Sequence, residues 1–257
     1  MSTKVASNSY TVRQKLVSEE EIENTFTKIG KIGYQAVELD LEGILPTIDV
    51  SRLKEILQQA NIRPFSAHED YEFLEAGLDR VISNCKDLGI EYVVIPNLPR
   101  ERFCKDARGF REGAKNMVEF ADELSKKGLK FAYHNHAKEF ERYDGKIAMD
   151  ILYDEPGPKY LVQIDIYWVQ YGGGDPAEWI SRYRGRVPFI HAKDYCIVDG
   201  KPMYAEVGEG NLNWPSILKA CKDAGVQWYV VEQDECLRDS IDCLKTSKEN
   251  LEKMGIT

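Results

Sequence analysis

The sequence predicts a single (β/α)₈ barrel spanning residues 1–257, and three observations carry that expectation. Eight short apolar runs rich in β-branched or aromatic residues alternate with amphipathic helical stretches, the pattern of βαβ units around a parallel sheet. The length, 257 residues, is what eight such units occupy. No Pro/Gly/Ser-rich linker or low-complexity segment interrupts the series. The competing arrangement, an open doubly wound sheet, wants a phosphate-binding glycine loop after its first strand. Here the first run leads into Ser9-Tyr10-Thr11, with no glycine.

In chain order the expected strands are residues 5–8, 36–39, 63–67, 92–95, 130–133, 160–164, 188–190 and 227–231. Ser18 and Glu21 have capping-box spacing, and Ile22, Phe26 and Ile29 follow on one helical face. The next stripes are Leu53, Ile56, Leu57 and Ala60, then Leu74, Leu78, Val81, Ile82 and Cys85. A fourth runs from Phe110 to Leu124 and stops at Gly128, while a fifth, over residues 147–152, is weak. Asp175-Pro176 is a cap followed by proline at the first helical position, with Trp179, Ile180 and Tyr183 behind it. Trp214, Ile217, Leu218 and Cys221 lead to Gly225, and Ile241, Leu244, Leu251 and Met254 close the chain.

Composition narrows the function. With 34 Lys+Arg against 43 Asp+Glu, the formal charge of −9 disfavours a nucleic-acid partner. The first ten residues lack a basic region followed by an apolar stretch, and no apolar run approaches a membrane span. A cytoplasmic protein is therefore expected, its six cysteines free thiols without a C-x-x-C pair, Cys85 and Cys221 in the core. Exposed aromatics would suggest a dimer, and the sequence leaves a homo-oligomer open.

The informative residues are the histidines. The chain has four, His68, His134, His136 and His191, and each falls at the C-terminal end of an expected strand. In a (β/α)₈ barrel those ends converge on the mouth where active sites are built. Asp165 and Glu232 end the sixth and eighth strands, Glu38 lies near the end of the second, and Glu69 follows His68. Charged groups at the ends of buried strands are costly unless paired or metal-bound. Imidazoles mixed with carboxylates suit a divalent ion. The expected ligands are His134, Asp165, His191 and Glu232, with Glu139 as an alternative to His134. The expected ion is manganese ahead of cobalt, magnesium or zinc. Period two puts His136 on the same side as His134, in a supporting or catalytic place.

Other residues stay open between two readings. His68 is a structural hydrogen-bonding residue or a substrate contact. Lys193 pairs with Asp194 or touches substrate. Trp168, three residues past Asp165, is core or a sugar-facing wall. Gly172-Gly173-Gly174 and Gly208-Glu209-Gly210 are flexible loops or backbone donors near substrate. Basic side chains are scarce around them, so a phosphorylated substrate is disfavoured.

At these residues the chain resembles the xylose isomerase-like barrels, a superfamily of sugar isomerases and epimerases. The matching stretches are Tyr133-His134-Asn135-His136 with Glu139-Phe140, Asp165-Ile166-Tyr167-Trp168 and Gly173-Gly174-Asp175-Pro176. His191-Ala192-Lys193-Asp194, Gly208-Glu209-Gly210 and Val231-Glu232-Gln233-Asp234 complete the set. The resemblance covers nearly the whole chain. It implies a metal held by Glu, Asp, His and Glu from strands five to eight. Asp165, His191 and Glu232 match the last three, and His134 departs from the first. The implied chemistry on a sugar or keto-sugar is proton abstraction α to a carbonyl through a metal-stabilised enediolate. Glu232 or Glu139 is the expected base, with His136 as a further acid/base candidate. Isomerisation, epimerisation and β-elimination by a keto-glycoside lyase or keto-inositol dehydratase all fit. A metal-dependent nuclease and a non-catalytic sugar-binding subunit fit less well.

Overall fold

The computed structural model describes residues 4–257, and eight parallel strands among them close into a barrel. They are β1 (Lys4–Asn8), β2 (Ala36–Asp40), β3 (Arg63–His68), β4 (Tyr92–Ile95), β5 (Lys130–His134), β6 (Leu161–Asp165), β7 (Phe189–Ala192) and β8 (Trp228–Val231). Each pairs with its neighbours in sequence, and β8 closes on β1. The expected strands were right in place, but the seventh runs one turn of the pleat further than expected, so His191 lies within it. The segment Met1-Ser2-Thr3 of the N-terminal reading lies outside the described residues.

Helices follow where the stripes place them. The first, Glu19–Ile32, starts at Ser18, whose Oγ accepts from Glu21 N and contacts Glu21 Oε2. It ends at Gly33, whose φ of 105° suits a residue without a Cβ. Asp175 Oδ1 accepts from Ala177 N at 2.8 Å and starts the helix Pro176–Arg182 as expected. The weak fifth stripe is a helix of six residues, Ala148–Tyr153, every one of them buried except Asp150. Two antiparallel hairpins were not anticipated: Arg142–Tyr143 with Lys146–Ile147, and Asp194–Val198 with Lys201–Ala205. Each turns on Asp-Gly, Asp144-Gly145 and Asp199-Gly200, with positive φ at both residues. That pair is the strongest short-range hairpin signal a sequence carries.

The barrel interior has two layers. Ala6, Ala36 and Ala132 leave room for Phe65, Tyr92, Phe189 and Trp228, and Val94 and Val230 fill between them. Phe65 stacks on Trp228 at 4.5 Å and meets Phe189 edge-on at 5.7 Å. This is an apolar floor. Two residues further along the same strands, the same inward direction brings Asn8 after Ala6, Glu38 after Ala36 and His134 after Ala132. His191 follows Phe189 and Glu232 follows Val230. Strand pairing shifts between Val37 and Glu38, and Ser66 lies beside Glu38. The upper layer is polar and almost wholly buried, with His134 and Glu232 at its open side.

Candidate metal centre

Asp165, at the end of β6, divides its two oxygens. Oδ1 accepts from Trp168 N at 3.0 Å and caps the short helix Ile166–Tyr171. Oδ2 is buried without a well-aligned hydrogen bond, and its charge partner is Lys193 Nζ at 3.1 Å. Around that oxygen stand His191 Nδ1 at 3.6 Å and His134 Nε2 at 3.8 Å, while His191 Nδ1 lies 2.8 Å from Glu232 Oε2. Ligand atoms of Asp165, His191 and Glu232 all lie within 4.8 Å of one another.

This geometry fits a divalent ion. Metal–ligand distances of about 2.1 Å give edges of about 3.0–3.4 Å between neighbouring ligands. The donor set mixes imidazole and carboxylate, and one carboxylate oxygen lacks a satisfied hydrogen bond. His68, His134 and His191 also gather nitrogens within 4.8 Å. The Nε2 atoms of His68 and His191 are already engaged by Glu38, at 3.1 and 2.5 Å, so that grouping is a hydrogen-bond layer.

Beneath the cluster lies Glu38. Its carboxylate also accepts from Asn8, Ser66 and Gln163. Burial alone would raise it; the neighbouring His68 and His191 outweigh burial and hold it well below the usual carboxylate range. Burial would lower His191, but Glu232 and Glu38 raise it well above the ordinary value. Burial, reinforced by the positive charge of His191, pushes His134 well down and leaves it neutral. His136 falls to about 3, by burial first and then by Lys193 and Lys138.

Lys193 follows the inward alternation of Phe189 and His191. Its ammonium is enclosed and bridges Asp165, Glu232 (2.6 Å) and Asp234 (2.6 Å). Of the two readings left open for Lys193, the pair with Asp194 does not form. Asp194 instead accepts from the backbone N–H groups of Gly208, Gly210 and Leu212 and from Trp214 Nε1. Those glycines therefore donate to a loop-organising carboxylate, and Gly172 and Gly174 pack against Phe140. Close approach at Gly172, Gly174 and Gly210 and positive φ at Gly173 and Gly208 account for the glycines of both segments.

Glu139 is not brought to the cluster. Oε1 accepts from Tyr133 OH at 2.6 Å and Oε2 from His136 N at 2.8 Å, which locks the turn Ala137–Phe140. Neither the ligand role nor the base role weighed for Glu139 has a free oxygen facing the cluster. Glu69 also turns outward, into a recess with Glu42, Phe73 and Arg80. The mouth is a cavity of about 470 Å³ reached by His68, His134, His136 and Glu232. Trp168 does not line it; its ring lies 5.4 Å from His136. Asp40, Glu42, Asp70 and Asp234 make the rest of the mouth acidic, and among the described residues no Lys or Arg lines it. Gln163, Asp234 and the depth of Glu38 were missed in the sequence. Period two, counted back from Asp165 and onward from Glu232, is the signal that finds Gln163 and Asp234.

The model of the xylose isomerase-like TIM barrel family matches residues 26–247, and the chain belongs to that family. Among solved structures, a sugar phosphate isomerase/epimerase from Parabacteroides distasonis superposes with a TM-score of 0.81 at 19% identity, over 98% of each chain. The IOLI protein with a binding zinc atom gives 0.75 at 18% identity, over 97% of each chain. The probable 3-DHS dehydratase AsbF from Bacillus anthracis gives 0.73 at 12% identity, over 97% of this chain and 99% of that one. At such identities the likeness is one of fold. No curated protein matches the chain significantly.

Proposed function

We propose that this xylose isomerase-like barrel is a divalent-metal-dependent isomerase or epimerase of a sugar or keto-sugar. The observation that carries the reading is the meeting of Asp165, His191 and Glu232 at the mouth, with ligand atoms within 4.8 Å of one another, and of His134 Nε2 at 3.8 Å from Asp165 Oδ2. An ion held there would polarise a substrate carbonyl and offset the negative charge that develops on its oxygen.

The chain's own residues supply the proton transfer. Glu232, held well below the usual range against burial by Lys193 and His191, is ionised at neutral pH as a base must be. It takes the proton from the carbon beside the carbonyl. His136, a neutral imidazole lining the same cavity, hydrogen-bonds the substrate and is the second acid/base candidate. His68 contributes a second polar edge. Lys193 holds Glu232 and Asp165 in place, and Trp168 supports His136 from the side. Return of the proton to the neighbouring carbon gives isomerisation, and to the opposite face gives epimerisation. Loss of a β-oxygen makes the enzyme a lyase, the second reading, favoured by the absence of a free Glu139 carboxylate as the partner base.

The test is an assay of protein stripped by chelator and reloaded with manganese, cobalt, magnesium or zinc, on a keto-sugar panel in deuterated water. Deuterium at carbon is expected with metal, and its loss after chelation and in Glu232→Gln. An unsaturated product selects the lyase, and turnover indifferent to chelation rejects the metal.

A further inference from the structure

We propose that Glu38 is a positioning residue that sets the tautomers of both imidazoles facing Asp165: His191 directly, and His134 through Gln163. The inference rests on the reading of the cluster as a cation site and goes one layer beneath it.

Donors and acceptors fix where the hydrogens lie. An ionised carboxylate only accepts. Glu38 Oε1 receives Asn8 Nδ2 at 2.9 Å and His191 Nε2 at 2.5 Å; Oε2 receives Ser66 Oγ at 2.7 Å and Gln163 Nε2 at 2.8 Å. His191 Nε2 must therefore carry hydrogen. Nδ1 donates to Glu232 at 2.8 Å in the metal-free protein, and a cation that displaces that proton finds Nδ1 as the only nitrogen left to ligate, the atom that faces Asp165 and Glu232.

The second imidazole is governed at one remove. Because the Gln163 amide nitrogen points at Glu38, its carbonyl oxygen points at the rings. That oxygen lies 3.0 Å from His134 Nδ1 and 2.9 Å from His68 Nε2, and it can only accept. His134 Nδ1 must carry hydrogen, which leaves the Nε2 lone pair bare beside Asp165. Turning the amide over would press its carbonyl oxygen against the Glu38 carboxylate, acceptor against acceptor, in a site closed to water. A single carboxylate on β2, across the barrel from β5, thus presents two lone pairs to the mouth. Outer partners of this kind orient ligand imidazoles and are worth about 10- to 100-fold in metal affinity.

The experiment combines ¹⁵N-imidazole NMR of the metal-free protein with calorimetric titration of zinc chloride. The variants are Glu38→Gln and Gln163→Leu. Wild type is expected to show His134 as the Nδ1–H tautomer, and both variants a mixture. Zinc affinity is expected to fall about 10- to 100-fold in Glu38→Gln and less in Gln163→Leu, where His191 keeps its partner. If circular dichroism shows Glu38→Gln unfolded, Gln163→Leu alone decides on the His134 tautomer. A wild-type His134 protonated at Nε2, or variants with wild-type tautomers and zinc affinity within about twofold, overturn the proposal. A wild type that binds no divalent ion defeats the metal reading of the mouth, while the His134 tautomer still tests Glu38.

Discussion

The floor of the barrel and the layer just above it are built from the same strands, point the same way and are equally hidden from water. Phe65, Tyr92, Phe189 and Trp228, with Ala6, Ala36 and Leu161 between them, form the first; Asn8, Glu38, Gln163 and His191 form the second, two residues on from Ala6, Ala36, Leu161 and Phe189. They are held by opposite physics. The floor depends on area and shape, which are non-directional, so a residue of similar volume can replace another at modest cost. The polar layer depends on each donor meeting an acceptor, so removing one member leaves its partners buried and uncompensated. The lesson is that burial predicts how much a position matters, and chemistry predicts which changes it tolerates.

The largest effect separating the two layers is expected at Lys193. Lys193→Met leaves Asp165, Glu232 and Asp234 without their cation and should destabilise the metal-free protein by about 3–5 kcal/mol. A bound divalent ion supplies counter-charge, so urea unfolding with metal should show a smaller loss. Equal losses with and without chelator would sink the claim that the ammonium balances this cluster. On the floor, Phe189→Leu should cost about 1–2 kcal/mol and leave zinc affinity unchanged. A shifted affinity there would mean the layers are mechanically coupled.

Two smaller effects concern the carboxylates that face the mouth or lie outside the barrel. A cavity lined by Asp40, Glu42, Asp70 and Asp234 with no Lys or Arg should favour unphosphorylated over phosphorylated forms of one sugar. We expect about tenfold in kcat/KM, roughly 1.4 kcal/mol; a preference for the phosphate ester would contradict it. Outside the barrel, burial and then Glu42 and Asp40 raise Glu69 to about 8. Between pH 4.5 and 8 the unfolded chain releases this proton while the folded protein keeps it. Stability is therefore lost as pH rises through that window. Glu69→Gln should stabilise the protein at pH 8 by on the order of 1 kcal/mol more than at pH 4.5, read from paired denaturation curves. A pH-independent difference would remove the linkage.

Much of this architecture was legible along the chain because it rests on local periodicity. Alternating apolar runs and stripes located eight strands and their helices. Histidines and carboxylates at strand ends located the mouth, and Asp165, His191 and Glu232 do meet there. The hairpin at Asp199-Gly200 carried its signal and went unread. What no local pattern could decide was pairing across the barrel. Glu139 sits five residues from His134 in sequence, yet Tyr133 and the His136 backbone draw it away. Lys193 adjoins Asp194 but binds Asp165, Glu232 and Asp234. Glu38 is about a hundred and fifty residues from His191, yet they share a hydrogen bond. Side-chain direction follows from period two and is written in the sequence; which donor meets which acceptor depends on closure of the sheet, which only the folded chain supplies.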